Sequence, residues 1–224
     1  MKVKYKDDIA VIGAGRFGQA VIEQLLKLNK NLILIDKVDD EVKKYSDDVD
    51  RIIILDAADK KALQASGIDQ METVVVTVTE NVEIVGALLE LGVKNIIARA
   101  KSKRYARVLK LIGVKVIIRP EYEAGIRTAI IAANNSFINY SDNIFELENN
   151  FVIGSTKIKN NELTNKPIRD LKLPDFGINI ILIKRDGESH MATANGELKL
   201  GDTISIVGEI SDVTNALELF NREN

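Results

Sequence analysis

An apolar run, Ile9 to Ile12, passes directly into Gly13-Ala14-Gly15-Arg16-Phe17-Gly18, and a helical pattern follows from Phe17 to Leu28. This order of strand, glycine turn and helix restricts the chain more than any other local feature. Gly13 permits the tight turn, Gly15 lets a ligand approach backbone with no Cβ in the way, and Gly18 lets the helix lie close to the strand. A pyrophosphate suits such a turn, because the first N–H groups of a helix are unpaired and sit at its positive end. A glycine turn that binds nothing has the same letters, so the next segment decides. There Leu32-Ile33-Leu34-Ile35 is a second apolar run ending in Asp36, at the offset where a carboxylate accepts hydrogen bonds from a ribose. An acid at that point repels a 2′-phosphate, which disfavours NADP.

Apolar, β-branched runs recur at Ile52 to Leu55, Val74 to Val78, Ile96 to Ala98 and Val116 to Ile118. Runs of this kind fit parallel strands buried on both faces. Helical patterns alternate with them at Lys60 to Ala65, Val82 to Leu91 and Arg104 to Leu111, and a longer one from Glu121 to Asn134 is expected to close the unit. Six strands alternating with helices predict an α/β, doubly wound, Rossmann-like parallel sheet.

Ligands of such sheets collect at the carboxyl ends of the strands. Asp36 and Lys37 follow the second strand and Asp56 and Ala57 the third; Thr77, Thr79 and Asn81 end the fourth, and Arg99 ends the fifth. Each alone is ordinary turn or cap chemistry. Together they sketch a pocket, with Asp36 on a ribose, the Asp56-Ala57 turn beside an adenine, and Arg99 facing phosphate or carboxylate. Arg16 and Phe17 lie inside the glycine loop, where Arg16 adds a bidentate fork for a further phosphate or for one held by a neighbouring subunit.

Composition removes several alternatives. A net charge of −2 leaves no broad basic surface for nucleic acid. The one basic cluster, Lys101, Lys103, Arg104, Arg107 and Lys110, reads as the wet face of a helix whose Val108, Leu109 and Ile112 point inward. No apolar run reaches the roughly 18 residues of a membrane span, and Met-Lys-Val-Lys-Tyr-Lys-Asp-Asp runs into the first strand with no room for a signal peptide. A cytoplasmic location is expected. With no cysteine there is neither disulfide nor thiolate metal site, and His190, the single histidine, lies far along the chain from the glycine loop. An acid–base dyad for hydride chemistry is therefore hard to assemble, and no H-E-x-x-H, G-x-S-x-G or Walker loop occurs.

Taken in order, VIGAGRFGQAV, LILID, LDAAD, TVTEN and RPEYEAG resemble the RCK family, the regulators of K⁺ conductance, over nearly the whole chain. The length is similar to that of free-standing Ktr-type subunits. The resemblance implies a non-enzymatic regulatory subunit that binds ATP, ADP or NAD(H) without net chemistry and gates an integral-membrane potassium transporter subunit. It implies homodimers assembling into an octameric ring on the inner face of the membrane. It assigns Gly13, Gly15, Arg16 and Gly18 to the phosphate loop, Asp36 to the ribose, Asp56 and Ala57 to the adenine, and Arg99 to the phosphates. Leu55-Asp56-Ala57-Ala58 departs from the Gly-Asp-Ala-Thr of many relatives. Glu121 matches a family glutamate that holds Mg²⁺ or Ca²⁺, although Pro120-Glu121 is also good helix-start chemistry. The alternatives are an NAD-linked oxidoreductase, which needs a proton donor near its substrate, and a redox-sensing repressor, which needs a basic winged helix.

Ala133-Asn134-Asn135-Ser136-Phe137 to Asn143 reads as a polar crossover, which predicts a nucleotide-binding domain over 1–136 and a smaller α+β domain over 137–224. Strands are expected at Phe151 to Lys157, Ile178 to Lys184 and Thr203 to Val207, with Asp186-Gly187 as a hairpin turn and a final helix. This half resembles the RCK C-terminal domain, a dimerisation module that binds cyclic di-AMP in several relatives. The resemblance points to Ile168, Arg169, Asp170, Leu171, Phe176 and Ile178; the residues by themselves read equally as a core with two exposed charges.

Overall fold

The computed structural model describes residues 9–141 and 143–223; the leading segment read for a signal peptide lies outside them. The chain divides into two compact units, Met1–Tyr122 and Glu123–Asn224, so the division falls earlier than the polar stretch that the sequence suggests.

In the first unit, β1 (Ile9–Ile12), β2 (Leu32–Asp36), β3 (Arg51–Ile54), β4 (Thr73–Val76), β5 (Asn95–Arg99) and β6 (Val116–Ile118) form one parallel sheet in the order β3-β2-β1-β4-β5-β6. Ile12 pairs with Ile35 on one side and Val76 on the other, so the chain reverses its winding direction between β1 and β4. A crevice opens where neighbouring connections leave in opposite directions. The pleat sends alternate side chains to opposite faces. Ala10, Ile12, Ile33, Ile35, Val74 and Val76 pack under α3 (Lys60–Ser66), α4 (Val82–Glu90) and α5 (Lys103–Leu111) through Leu63, Leu88 and Leu109. Val11, Leu32, Leu34 and Val75 pack under α1 (Arg16–Lys27) and α2 (Asp39–Lys43) through Ile22 and Val42. On this second face the half of the sheet beyond β1 leaves an apolar groove of about 260 Å³, lined by α1 residues Phe17, Val21 and Leu25 and by Val75, Ile97 and Ile118.

α5 corrects one expectation. Leu109 is fully buried, but Val108 and Ile112 are 43% and 37% exposed, because a nine-residue helix lying on a sheet edge buries a narrower stripe than its apolar content suggests. α6 (Pro120–Ala133) starts at the proline, yet it does not close the first unit. None of its residues is buried, and Ile130 and Ile131 pack against the second unit's core.

In the second unit, the expected polar crossover contains α7 (Asn135–Tyr140) and the edge strand β7 (Asn143–Glu146). Phe137 and Ile144 are both 2% exposed, and their burial outweighs the turn preference of the surrounding Asn and Ser. β7, β8 (Phe151–Lys157), β9 (Ile178–Arg185), β10 (Glu188–Met191) and β11 (Thr203–Glu209) form an antiparallel sheet in the order β10-β9-β11-β8-β7. Asp186 and Gly187 turn β9 into β10 with positive φ of 51° and 88°, as the hairpin reading requires. α8 (Ile210–Asn221) covers the sheet through Val213, Leu217 and Phe220. Buried Asp202 accepts hydrogen bonds from the Nε and Nη2 of Arg185, at 2.8 and 2.7 Å, and from the Lys199 N–H at 2.8 Å.

The first unit is most tightly constrained at Gly18. A Cβ there would stand 2.1 Å from the Gly13 carbonyl oxygen and 2.9 Å from the Thr77 hydroxyl. Backbone cannot retreat as a side chain can, so Gly18→Ala is expected to lower stability by about 1–3 kcal/mol, the usual cost of overpacking. Urea unfolding followed by circular dichroism checks this, and an unchanged midpoint would show that the helix has room to move off the strand.

Candidate functional site

The glycine turn is built from backbone. Gly13 takes φ of +100° and donates its N–H to the Ile35 carbonyl at 2.8 Å, and a Cβ on it would lie 2.6 Å from Val78. Gly15 is the N-cap of α1; no side chain caps the helix, and its first turn has no acidic residue. Its leading N–H groups and its positive dipole end are thus left for an anion. A Cβ on Gly15 would meet nothing within 4 Å, so nothing inside the protein demands glycine there. Arg16 beside it is exposed.

Asp36 faces this turn from the end of β2. One carboxylate oxygen accepts the Ala14 N–H at 2.7 Å and the other the Val38 N–H at 3.0 Å. The side chain is locked against the glycine loop while each oxygen keeps a free lone pair. Asp36 and Lys37 line a cleft of about 380 Å³ together with Gly13, Asp56, Ala57, Ala58, Val78, Glu80, Val82 and Tyr105. Asp56 is exposed and accepts the Ala58 N–H at 3.0 Å, which fixes the turn, and Ala57 is buried beneath it. Five residues expected from the sequence thus share one cleft: Gly13, Asp36, Lys37, Asp56 and Ala57.

Other expected residues brace the cleft from behind. Thr77, 3% exposed, directs its hydroxyl at the carbonyls of Gly13 (2.7 Å) and Ile12 (2.9 Å). Asn81 is fully buried and donates to the carbonyls of Val78 at 2.9 Å and Arg99 at 2.8 Å, tying the end of β4 to that of β5. Thr79 is exposed. Arg99 lies over the Phe17 ring at 5.6 Å, donates to the Thr77 carbonyl at 3.4 Å, and forms an ion pair with Glu121. The Glu121 carboxyl is held below its ordinary value of 4.5, first by its own backbone N–H and then by the Arg99 guanidinium. Among the described residues a cation would find the Glu121 carboxylate already engaged by a guanidinium. Among the described residues no group of three or more His, Cys, Asp or Glu is arranged to hold a metal.

Two contributors escape the sequence reading. Tyr105 reaches the cleft from α5, and its hydroxyl accepts the N–H groups of Asn81 at 2.8 Å and Val82 at 3.2 Å, doing for α4 what a capping side chain does elsewhere. The clue to it is its place four residues before Leu109, on the helix's inward stripe. Glu80, on the cleft wall, pairs with Lys101.

The second proposed ligand set is not gathered into one site. Phe176, 58% exposed, and Ile178 line a hollow beside α8 with Asp212 and Asn215. Leu171 is buried in the core, Ile168 packs against it, and Arg169 pairs with Asp170 and with Asn195 on the surface.

A parallel sheet with an uncapped glycine-loop helix and an acid on the neighbouring strand defines a Rossmann-like nucleotide-binding fold, here followed by a small antiparallel-sheet unit. Residues 9–120 match the TrkA-N domain and residues 156–221 the TrkA-C domain. The chain belongs to this TrkA family of RCK proteins. Uncharacterized protein MG323 of Mycoplasma genitalium is 31% identical over 220 residues, 96% of this chain and 95% of that one. Ktr system potassium uptake protein A of Vibrio alginolyticus is 30% identical over 216 residues, 93% and 96% of the two chains. Among solved structures, the GsuK channel bound to NAD matches all of this chain and 41% of its own, with a TM-score of 0.63 at 15% identity.

Because only an incoming group would meet a Cβ at Gly15, Gly15→Ala is expected to leave thermal stability nearly unchanged while weakening pyrophosphate or nucleotide binding at least about tenfold, the cost of crowding the helix's free N–H groups. Calorimetric titration alongside a melting curve measures both; equal affinity in the variant would place the anion elsewhere.

Proposed function

We propose that this chain is the cytoplasmic regulatory subunit of a Ktr-type potassium-uptake system and that it senses an adenine nucleotide, ATP or ADP first and NAD(H) second, without converting it. The observation that carries this reading is the pairing of an uncapped, acid-free α1 N-terminus with an Asp36 carboxylate fixed 2.7 Å from the Ala14 N–H. The first holds phosphate and the second takes ribose hydroxyls, while the Asp56-Ala57 turn receives the base. Similarity to Ktr system potassium uptake proteins over nearly the whole chain supports sensing over catalysis.

A regulatory subunit acts through assembly, and two features support a second copy as the first partner. The sheet face beyond β1 carries an apolar groove, and α6 presents Tyr122 at 53% exposure with no buried residue along its length. Beyond Ile130 and Ile131 this helix has little to pack on, and a helix draws most of its stability from a covered face. Homodimers that build a ring satisfy both. Light scattering of the purified chain is expected to give an even multiple of 24.8 kDa, and a monomer at micromolar concentration would count against the assembly.

Ligand identity is read by melting the chain with ATP, ADP, NAD, NADH or cyclic di-AMP. A ligand that binds only the folded form at a hundred times its Kd adds about 2.7 kcal/mol. Adenine nucleotides are expected to raise Tm, and Arg16→Ala is expected to erase the difference between ATP and ADP while keeping ADP binding. Silence from every adenine compound would sink the sensing role. Equal loss of both nucleotides in the variant would make Arg16 a general phosphate holder.

A further inference from the structure

The cleft is rich in acceptors. Among its lining residues Asp36, Asp56, Glu80 and Glu83 carry carboxylates, which when ionised only accept hydrogen bonds, and the donor side chains are Lys37 and Tyr105. An adenine needs both kinds of partner, because its exocyclic amine donates while its ring nitrogens N1, N3 and N7 accept. Carboxylates serve the amine and repel the lone pairs of the ring. Tyr105 lines the same cleft as the Asp56-Ala57 turn, and it is held firmly there. Its N–H donates to the Ser102 hydroxyl at 3.1 Å, and Lys101, itself paired with Glu80, stands 5.2 Å from the centre of its ring. The phenol oxygen accepts the N–H groups of Asn81 at 2.8 Å and Val82 at 3.2 Å. Those two bonds occupy its lone pairs, and among the described residues the hydroxyl proton meets no acceptor. Accepting from two amides at the positive end of α4 also polarises the oxygen, which makes the remaining O–H a stronger donor.

Resting on the nucleotide reading above, we propose that the Tyr105 hydroxyl donates to a ring nitrogen of the bound adenine and so selects the base. The same oxygen caps α4, so a filled cleft joins α4, α5 and the base at one atom. Capping and base contact leave different signatures. A lost cap loosens the cleft wall that Glu80, Val82 and Glu83 belong to, and it weakens every nucleotide by one factor. A lost donor weakens only those ligands that carry the matching acceptor.

Calorimetric titration of ADP and of its 1-deaza, 3-deaza and 7-deaza analogues into wild type and Tyr105→Phe separates the two. Each analogue replaces one ring nitrogen by C–H. Wild type is expected to bind ADP about three- to tenfold more tightly than one of the analogues, the range of a neutral hydrogen bond. Tyr105→Phe is expected to bind ADP and that same analogue alike, whatever the lost cap subtracts from both, because the coupling between the two groups is gone. Melting curves without ligand establish that the variant folds. If Tyr105→Phe weakens ADP and all the analogues by one factor, Tyr105 only caps α4, and the proposal is overturned while nucleotide sensing stands. If wild type itself binds ADP and every analogue alike, no ring nitrogen is held by a donor, and the proposal falls without recourse to the variant. Wild type that binds no ADP removes the sensing role on which the proposal rests.

Discussion

The site depends on one close approach, that of α1 to the turn beneath it. Gly18 lies so near the Gly13 carbonyl that no side chain fits between them, and the contact fixes where the helix begins. From that starting point the leading N–H groups face outward with no cap, the Ala14 N–H meets Asp36, and the Thr77 hydroxyl closes on Gly13 from β4. Were the helix an ångström higher, these bonds would lengthen together, and backbone hydrogen bonds weaken steeply beyond their usual range. The exposure of the leading N–H groups and local stability are thus two consequences of the same packing.

The sheet shows a second economy, in how its two faces are covered. Three helices seal one face and two seal the β1–β3 half of the other, while the helix that follows β6 lends its later residues to a different core. A monomeric domain rarely leaves a large contiguous apolar surface open. The polar side chains near the cleft divide accordingly. Thr77 and Asn81 are buried and spend their donors on carbonyls, whereas Asp36, Asp56 and Arg16 keep groups directed outward. Bracing residues make the cleft rigid, so a ligand meets donors already in place and loses little entropy in organising them.

Features written in adjacent residues are legible in the amino-acid sequence itself. The glycine turn, Asp36 at the end of β2, six parallel strands and the Asp186-Gly187 hairpin each follow from rules that act over a few positions, where backbone conformation is decided by the residue itself. What depends on distant partners is not legible in this way. Phe137 is surrounded by Asn and Ser and reads as loop, yet it occupies a core whose other walls come from α8 and β8. Tyr105 looks like one more residue of a basic helix until Asn81 arrives from β4 to share its hydroxyl. Val108 and Ile112 carry the right period but outrun the area that the sheet edge can cover. The Arg99–Glu121 pair joins residues 22 positions apart in sequence, and neither side chain announces the other.

A protein that reports a ligand faces a requirement that an enzyme does not: the bound and empty states must differ in free energy somewhere away from the ligand. Binding alone shifts nothing, however tight, unless one state is preferred. A cleft of fixed backbone donors would fill and empty with no further effect. Such a difference needs a group whose restraint in the empty state is not the one it has in the filled state. Arg99, held between an aromatic ring and a backbone carbonyl and facing an exposed carboxylate, shows how unevenly such restraint is distributed, because the cation is positioned by packing and the anion is not.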